Sequence, residues 1–166
     1  MALKKLTPEQ IRLHKGLSFT GISTVFFCYD QAGRILLQKR SAKARDENGR
    51  WDPGAGGLKH GQSVIDSLKR EIKEEYGVQP LKIDFIGYRD AFRTNSNGLA
   101  THWLALDFAV LVDPKKIKIS EPDMIDEIGW FSLNKLPQPL HSQFDSFYQL
   151  HGKSLEGIIR RHKNKE

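Results

Sequence analysis

Residues 56–78 read GGLKHGQSVIDSLKREIKEEYGV, and the acids near the end of this stretch decide how the rest of the chain is read. Ser63 is a suitable N-cap with Asp66 three residues on, a capping-box pattern, and Gly77 is a natural left-handed stop. The spacing therefore predicts a helix of about four turns between them. Val64, Ile65, Leu68 and Ile72 recur at helical spacing and are expected to face a core. Glu71, Glu74 and Glu75 follow at i, i+3 and i+4, which at roughly 100° per residue sets three carboxylates on a narrow arc beside the apolar stripe.

Like charges at this spacing repel and cost stability. A hard divalent cation removes that cost, because Mg²⁺ selects oxygen ligands and takes a few carboxylates together with waters and substrate phosphates. In isolation KREIKEE would read as an ordinary charged surface helix, with Arg70 and Glu74 as one i,i+4 pair. Upstream, however, residues 51–57 read WDPGAGG, a glycine-rich turn that lets backbone approach a ligand closely just before a helix start. A glycine turn, a capped helix and an acid cluster together are far more specific than any one of them.

The segment resembles the Nudix box, G-x5-E-x7-R-E-U-x-E-E-x-G-U with U aliphatic. Gly56, Arg70, Glu71, Ile72, Glu74, Glu75, Gly77 and Val78 fall at the required spacing, and Gln62 stands where the pattern has Glu. The resemblance implies a mixed α/β fold, a three-layer α/β/α sandwich around a mixed sheet. It also implies hydrolysis of nucleoside diphosphates linked to another moiety, such as nucleoside triphosphates or nucleotide sugars, with Mg²⁺ or Mn²⁺ as cofactor. Carried over by position, Glu71 and Glu75 are the principal metal ligands, Glu74 a further one, and the carbonyl of Gly56 or Ala55 a backbone ligand. Arg70 resembles the arginine that orients the glutamates. Gln62 keeps the size and hydrogen-bonding reach of Glu but not its charge, so activity is expected to survive with a weaker or missing outer metal.

The chemistry follows from the charge on a pyrophosphate, whose oxygens repel an attacking hydroxide. Bound metals neutralise that charge and lower the pKa of a water, leaving the protein to position the parts and to collect a proton. For the base, Glu71 competes with a later acid on the loop before Trp130: Glu121, Asp123 or Glu127. The catalytic set carried forward is Arg70, Glu71, Glu74 and Glu127.

A length of 166 residues suits one domain, and 39% hydrophobic with 28% charged residues is ordinary globular composition. The single cysteine, Cys28, rules out an internal disulfide framework and sits in the apolar run 24–28, where a buried inert thiol is expected. The start, MALKKLTPEQ, has no apolar signal region, and nowhere are there the 18 or so apolar residues needed to span a bilayer. No membrane association and a cytoplasmic enzyme are the expectation. The net charge of +6 is spread along the chain, and its densest group, Arg160, Arg161, Lys163 and Lys165, reads as a solvated helix end. Specific nucleic-acid binding is not expected, whereas a small anionic substrate, a nucleotide, suits such a potential. The resembled family is often dimeric, so a homodimer is compatible with the reading.

In chain order, residues 6–15 are predicted as a helix capped by Thr7, and 18–29 and 34–39 as a hairpin around the turn 30–33. The resemblance points the basic end of that hairpin, Lys39 or Arg40, at substrate phosphate. Residues 42–50 read as a loop and Trp51 as a core residue. Strands are predicted over 81–92 and 101–112 around the turn 94–98. Arg89 and Arg93 near it either clamp a substrate phosphate or stand exposed. His102 and Trp103 point to opposite faces. A charged excursion over 115–126 leads to a strand at 127–131, and helices are predicted over 142–150 and 154–162, broken at Gly152. No nucleophile motif supports Ser/His/Asp chemistry, and His14, His60, His141, His151 and His162 show no zinc spacing with Cys28. Two rivals remain: a nucleotide sensor without catalysis, supported only by Gln62, and an isopentenyl-diphosphate isomerase, which needs a cysteine in a polar pocket that Cys28 does not match.

Overall fold

The computed structural model describes residues 6–95 and 97–163. The first five residues, Ser96 of the 94–98 turn and Lys165 of the basic group lie outside the described residues. The central strand β1 (Gly21–Tyr29) reads GISTVFFCY, nearly continuous in apolar residues, as a strand covered on both faces must be. Val25, Phe27 and Tyr29 enter one core, Phe26 and Cys28 the other.

Around it lie β2 (Ile35–Arg40), β3 (Trp51–Asp52), β4 (Gly54–Gly57), β5 (Lys82–Thr94), β6 (Ala100–Leu111) and β7 (Ile125–Phe131). β1 pairs in parallel with β6 and antiparallel with β2 and β4. β5 is antiparallel to β6, and both β3 and β7 are antiparallel to β2. This is the mixed sheet expected. One face carries α2 (Val64–Tyr76), whose Leu68, Ile72 and Tyr76 pack with Phe26, Cys28 and Leu36. The other carries α3 (Phe144–His162), whose Phe144, Phe147, Leu155, Ile158 and Ile159 pack with Phe27, Tyr29, Ile35 and Leu37. Helix, sheet and helix make the three layers. α1 (Pro8–His14), capped by Thr7 and Gln10 in a reciprocal pair, buries none of its residues. No helix among the described residues is long and apolar enough to cross a membrane.

α2 ends on Gly77 at φ +66, and Ser63 accepts the Asp66 N–H while donating its hydroxyl to the Asp66 carboxylate at 2.7 Å. Ile65 departs from expectation: it is 41% exposed, because the buried stripe runs through Ser67, Leu68, Ile72, Glu75 and Tyr76 instead. The C-terminal region also differs, being one helix through Gly152. A glycine costs a helix only about 1 kcal/mol against alanine, and Gly152 is buried with the Tyr148 ring 3.1 Å from where a Cβ would stand. Trp51 is buried against the Phe131 ring, as its core reading required.

Candidate active site

β4 is the hinge of the site's geometry. Its residues pair with Ser23 to Phe26 of β1, and Gly54 and Gly56 face α2. A Cβ at Gly56 would lie 1.8 Å from the Glu71 carboxyl carbon, and one at Gly54 2.6 Å from a Glu75 oxygen. Only glycine lets the carboxylates lie directly on the strand backbone. Arg70 gathers the neighbouring groups. Its Nη1 is 2.7 Å from both Glu71 Oε1 and Glu74 Oε2, and its Nε and Nη2 each donate to Gln62 Oε1 at 3.3 Å. The glutamine standing at the box's fixed Glu position thus retains the arginine contact as a neutral acceptor.

Glu75 is 5% exposed; its Oε1 accepts the Ala55 N–H at 3.3 Å, and its Oε2 is buried without a partner. Burial and then the Glu71 carboxylate hold its pKa well above the usual carboxylate range. Glu71 is raised by burial, which outweighs the opposing pull of Arg70. Glu121 joins them from the loop after β6, raised by burial and by Glu74, and in turn raises Glu71 and Glu75. That loop is tied to the end of α2, where the Ser120 N–H donates to the Glu75 carbonyl at 2.9 Å and the Lys118 N–H to that of Tyr76 at 3.2 Å.

Glu127 is not brought to this cluster. It is exposed on β7, opposite Lys39 in register. Among the described residues no three acidic, histidine or cysteine groups already converge as a metal centre, since Arg70 draws Glu71 and Glu74 to itself. The chemistry of the set still fits a hard divalent cation: oxygen donors only, a buried carboxylate oxygen with no partner, and backbone held bare by two glycines.

On the other side of β4 lies a cavity of about 220 Å³ under α3, reaching Ala55, Gly57, Trp103 and Phe144. Of the basic residues predicted to hold substrate, Arg40, Arg89 and Arg93 line it and Lys39 does not. Arg40 and Arg93 are both bonded at 2.8 Å to Asp46, Arg40 also to Asp52 at 3.3 Å. Arg89 is not exposed: it is 6% accessible, paired at 3.1 Å with the fully buried Asp107, and donates to Gln143 Oε1 at 3.3 Å. Burial lifts the Asp107 carboxyl to about 6. Sequence reasoning missed Arg45, Asp52, His141 and Gln143 in this cavity. Asp52 had a signal, lying in the glycine turn itself; the others arrive from distant segments with no pattern to announce them.

A family model described as NUDIX domain matches residues 20–151, most of the chain. The chain belongs to the NUDIX domain family. Similar Nudix proteins include an uncharacterized Nudix hydrolase of Pseudomonas aeruginosa, 30% identical over 61% of this chain and 58% of the relative. The NAD-capped RNA hydrolase NudC of the same species is 34% identical over 54% of this chain and 29% of that protein. Among solved structures, the MutT NUDIX hydrolase from Burkholderia pseudomallei superimposes with a TM-score of 0.69 at 28% identity, covering 79% of this chain and 97% of the other. The NUDIX domain of Shewanella oneidensis NrtR complexed with ADP ribose shares the fold, at a TM-score of 0.64 and 14% identity over 94% and 99% of the two chains. The chain spans 58% and 63% of the lengths of the first two curated Nudix relatives.

Proposed function

We propose that this NUDIX protein hydrolyses the diphosphate linkage of a nucleoside diphosphate derivative, such as a nucleoside triphosphate or a nucleotide sugar. The observation that carries the reading is Glu75, a buried carboxylate with one unpartnered oxygen, set against bare glycine backbone and beside Glu71. Nature does not keep such a group charged and unpaired without a counter-ion. Nudix hydrolases generally use divalent metal ions. Glu71, Glu74, Glu75 and the Gly56 carbonyl are the residues that would hold Mg²⁺ or Mn²⁺, which when bound neutralises phosphate charge and acidifies a water.

The remaining work falls to the chain's own groups. Arg70 holds Glu71 and Glu74 by its Nη1 and fixes the direction of both carboxylates. Glu121, held above its ordinary range by burial, is the group we assign to receive the proton from water, in preference to the exposed Glu127. The apolar and arginine-lined cavity under α3 holds the nucleoside end, with Trp103 and Phe144 offering surface for a base and Arg45 at its rim offering positive charge. The isomerase rival is not favoured, since Cys28 is fully buried and burial pushes its thiol above the ordinary value.

The test is a panel of nucleoside triphosphates, nucleotide sugars, ADP-ribose and dinucleoside polyphosphates, with Mg²⁺ or Mn²⁺, scored for phosphate and pyrophosphate release. Cleavage of at least one member, lost on chelation and in Glu75→Gln, is the expected result. Tight binding without cleavage would turn the reading toward a sensor.

A further inference from the structure

Ahead of the segment matched by the family model, the link between α1 and β1 is fastened to the rim of the cavity. Gly16 adopts φ +80, its carbonyl accepts the His102 N–H at 2.8 Å, and its N–H donates to the Phe19 carbonyl at 2.8 Å. Cβ atoms at Gly16 and Gly21 would lie 2.3 Å and 2.5 Å from the Trp103 indole, so the two glycines hold that ring closely on the backbone. This fixes where the half-buried Lys15 points. Its ammonium donates to the Leu58 carbonyl and stands 3.9 Å from where a Gly57 Cβ would be, the same distance as Trp103. Lys15 therefore sits at the edge of β4 where the cavity ends and the segment leading to α2 begins.

That place already carries positive charge. Burial lowers the pKa of the Lys15 ammonium, and the positive charges of Arg70 and then Lys59 lower it further. Arg70 has Glu71 and Glu74 as counter-ions, but among the described residues no carboxylate lies within ion-pair distance of Lys15 or Lys59. An ammonium has three N–H donors, and one is given to Leu58. A half-buried cation beside two others, with donors to spare, is a configuration that an anion relieves.

Resting on the hydrolase reading above, we propose that Lys15 binds the phosphate chain of the substrate where it crosses from the cavity over Gly57 and Leu58 to the acids of α2. The ligand class is the diphosphate of the hydrolase reading, whose phosphates would lie between the cavity and the acids of α2. Lysine serves here as a point charge and needs no fixed planar geometry.

The experiment compares wild type with Lys15→Met and Lys15→Arg, using a nucleotide that the wild type cleaves, and measures binding of inorganic pyrophosphate by calorimetry. The expected result for Lys15→Met is a KM raised about tenfold and pyrophosphate affinity lowered by the same factor, the size of one charge-assisted hydrogen bond. Its kcat changes little, its KM depends less on salt, and Lys15→Arg restores most of the loss. A merely structural lysine, fastening α1 to β4, would lower the melting temperature of Lys15→Met and leave KM and pyrophosphate affinity unchanged, and that result overturns the proposal. The two readings fail separately. A protein that cleaves no nucleotide yet loses pyrophosphate affinity in Lys15→Met refutes the hydrolase and keeps the phosphate site, whereas one that cleaves with KM unmoved in the variant keeps the hydrolase and removes the site.

Discussion

Replacing Glu75 by glutamine is expected to raise stability while abolishing turnover. The side chain is 5% exposed, has one hydrogen bond of 3.3 Å and leaves Oε2 without a partner. Its carboxyl is held well above the ordinary range, by burial first and Glu71 second. A carboxyl raised in the folded state contributes stability that is fully present below its unfolded pKa, near 4.3, and is lost as pH rises through the folded value. In metal-free protein, stability therefore falls as pH rises above that range. Glutamine is neutral throughout and can still accept the Ala55 N–H, while its amide can donate to Glu71. Removing a buried oxygen that has no partner is worth roughly 1–3 kcal/mol, so Glu75→Gln is expected to gain about that much at alkaline pH, or about 3–8 °C in a chain of this size. Excess Mg²⁺ or Mn²⁺ acts oppositely: at about a hundred times Kd it stabilises wild type by about 2.7 kcal/mol, and the variant by little. Thermal melts in chelator and in excess cation, with turnover on the same samples, read both effects. A variant that melts below wild type in chelator and keeps the full cation shift would refute the reasoning.

Three further outcomes follow from the same geometry. Gly56→Ala forces a methyl to within 1.8 Å of the Glu71 carboxyl carbon; Glu71 is displaced, turnover falls about a hundredfold by loss of positioning and far-ultraviolet circular dichroism is unchanged, whereas full activity would mean that Glu71 is not used. Gln62→Glu sets a charge 3.3 Å from Arg70 and is expected to tighten Mg²⁺ binding several-fold by calorimetric titration; an unchanged Kd removes Gln62 from the metal's surroundings. Asp107, lifted to about 6 by burial, gives stability that is present below pH 4 and lost as pH rises through 6. Asp107→Asn is expected to be less stable overall, since it strands the buried Arg89, and its melting temperature should lack the fall between pH 4 and 7 expected of wild type.

The box was legible because its signals are local. Ser63 and Gly77 bound α2 from within the sequence, and the apolar run of β1 announced a strand covered on both faces. What the sequence hid depends on contacts between distant segments. Arg89 could be read as exposed because nothing nearby marks Asp107 as its partner, and because β5 changes phase at a bulge between Phe85 and Gly87. Where Glu121 lies among the acids of that loop also depended on the loop's path, which the backbone bonds from Lys118 and Ser120 fasten to the end of α2. Gly152 read as a break because its propensity is poor, yet it lies in a long amphipathic helix buried against the sheet, where tertiary packing decides. Lys15 could not be read at all, its place being set by an indole almost ninety residues away.

β4 carries only three glycines and an alanine, so the cavity under α3 and the acid helix are divided by a single thickness of main chain. Such a partition makes the molecule two workshops with a shared wall. A substitution in the lining under α3 leaves the carboxylates opposite untouched, whereas a side chain added in the wall itself disturbs both at once. The wall is thus the least forgiving stretch of the molecule, since a Cβ at Gly54 or Gly56 has nowhere to go.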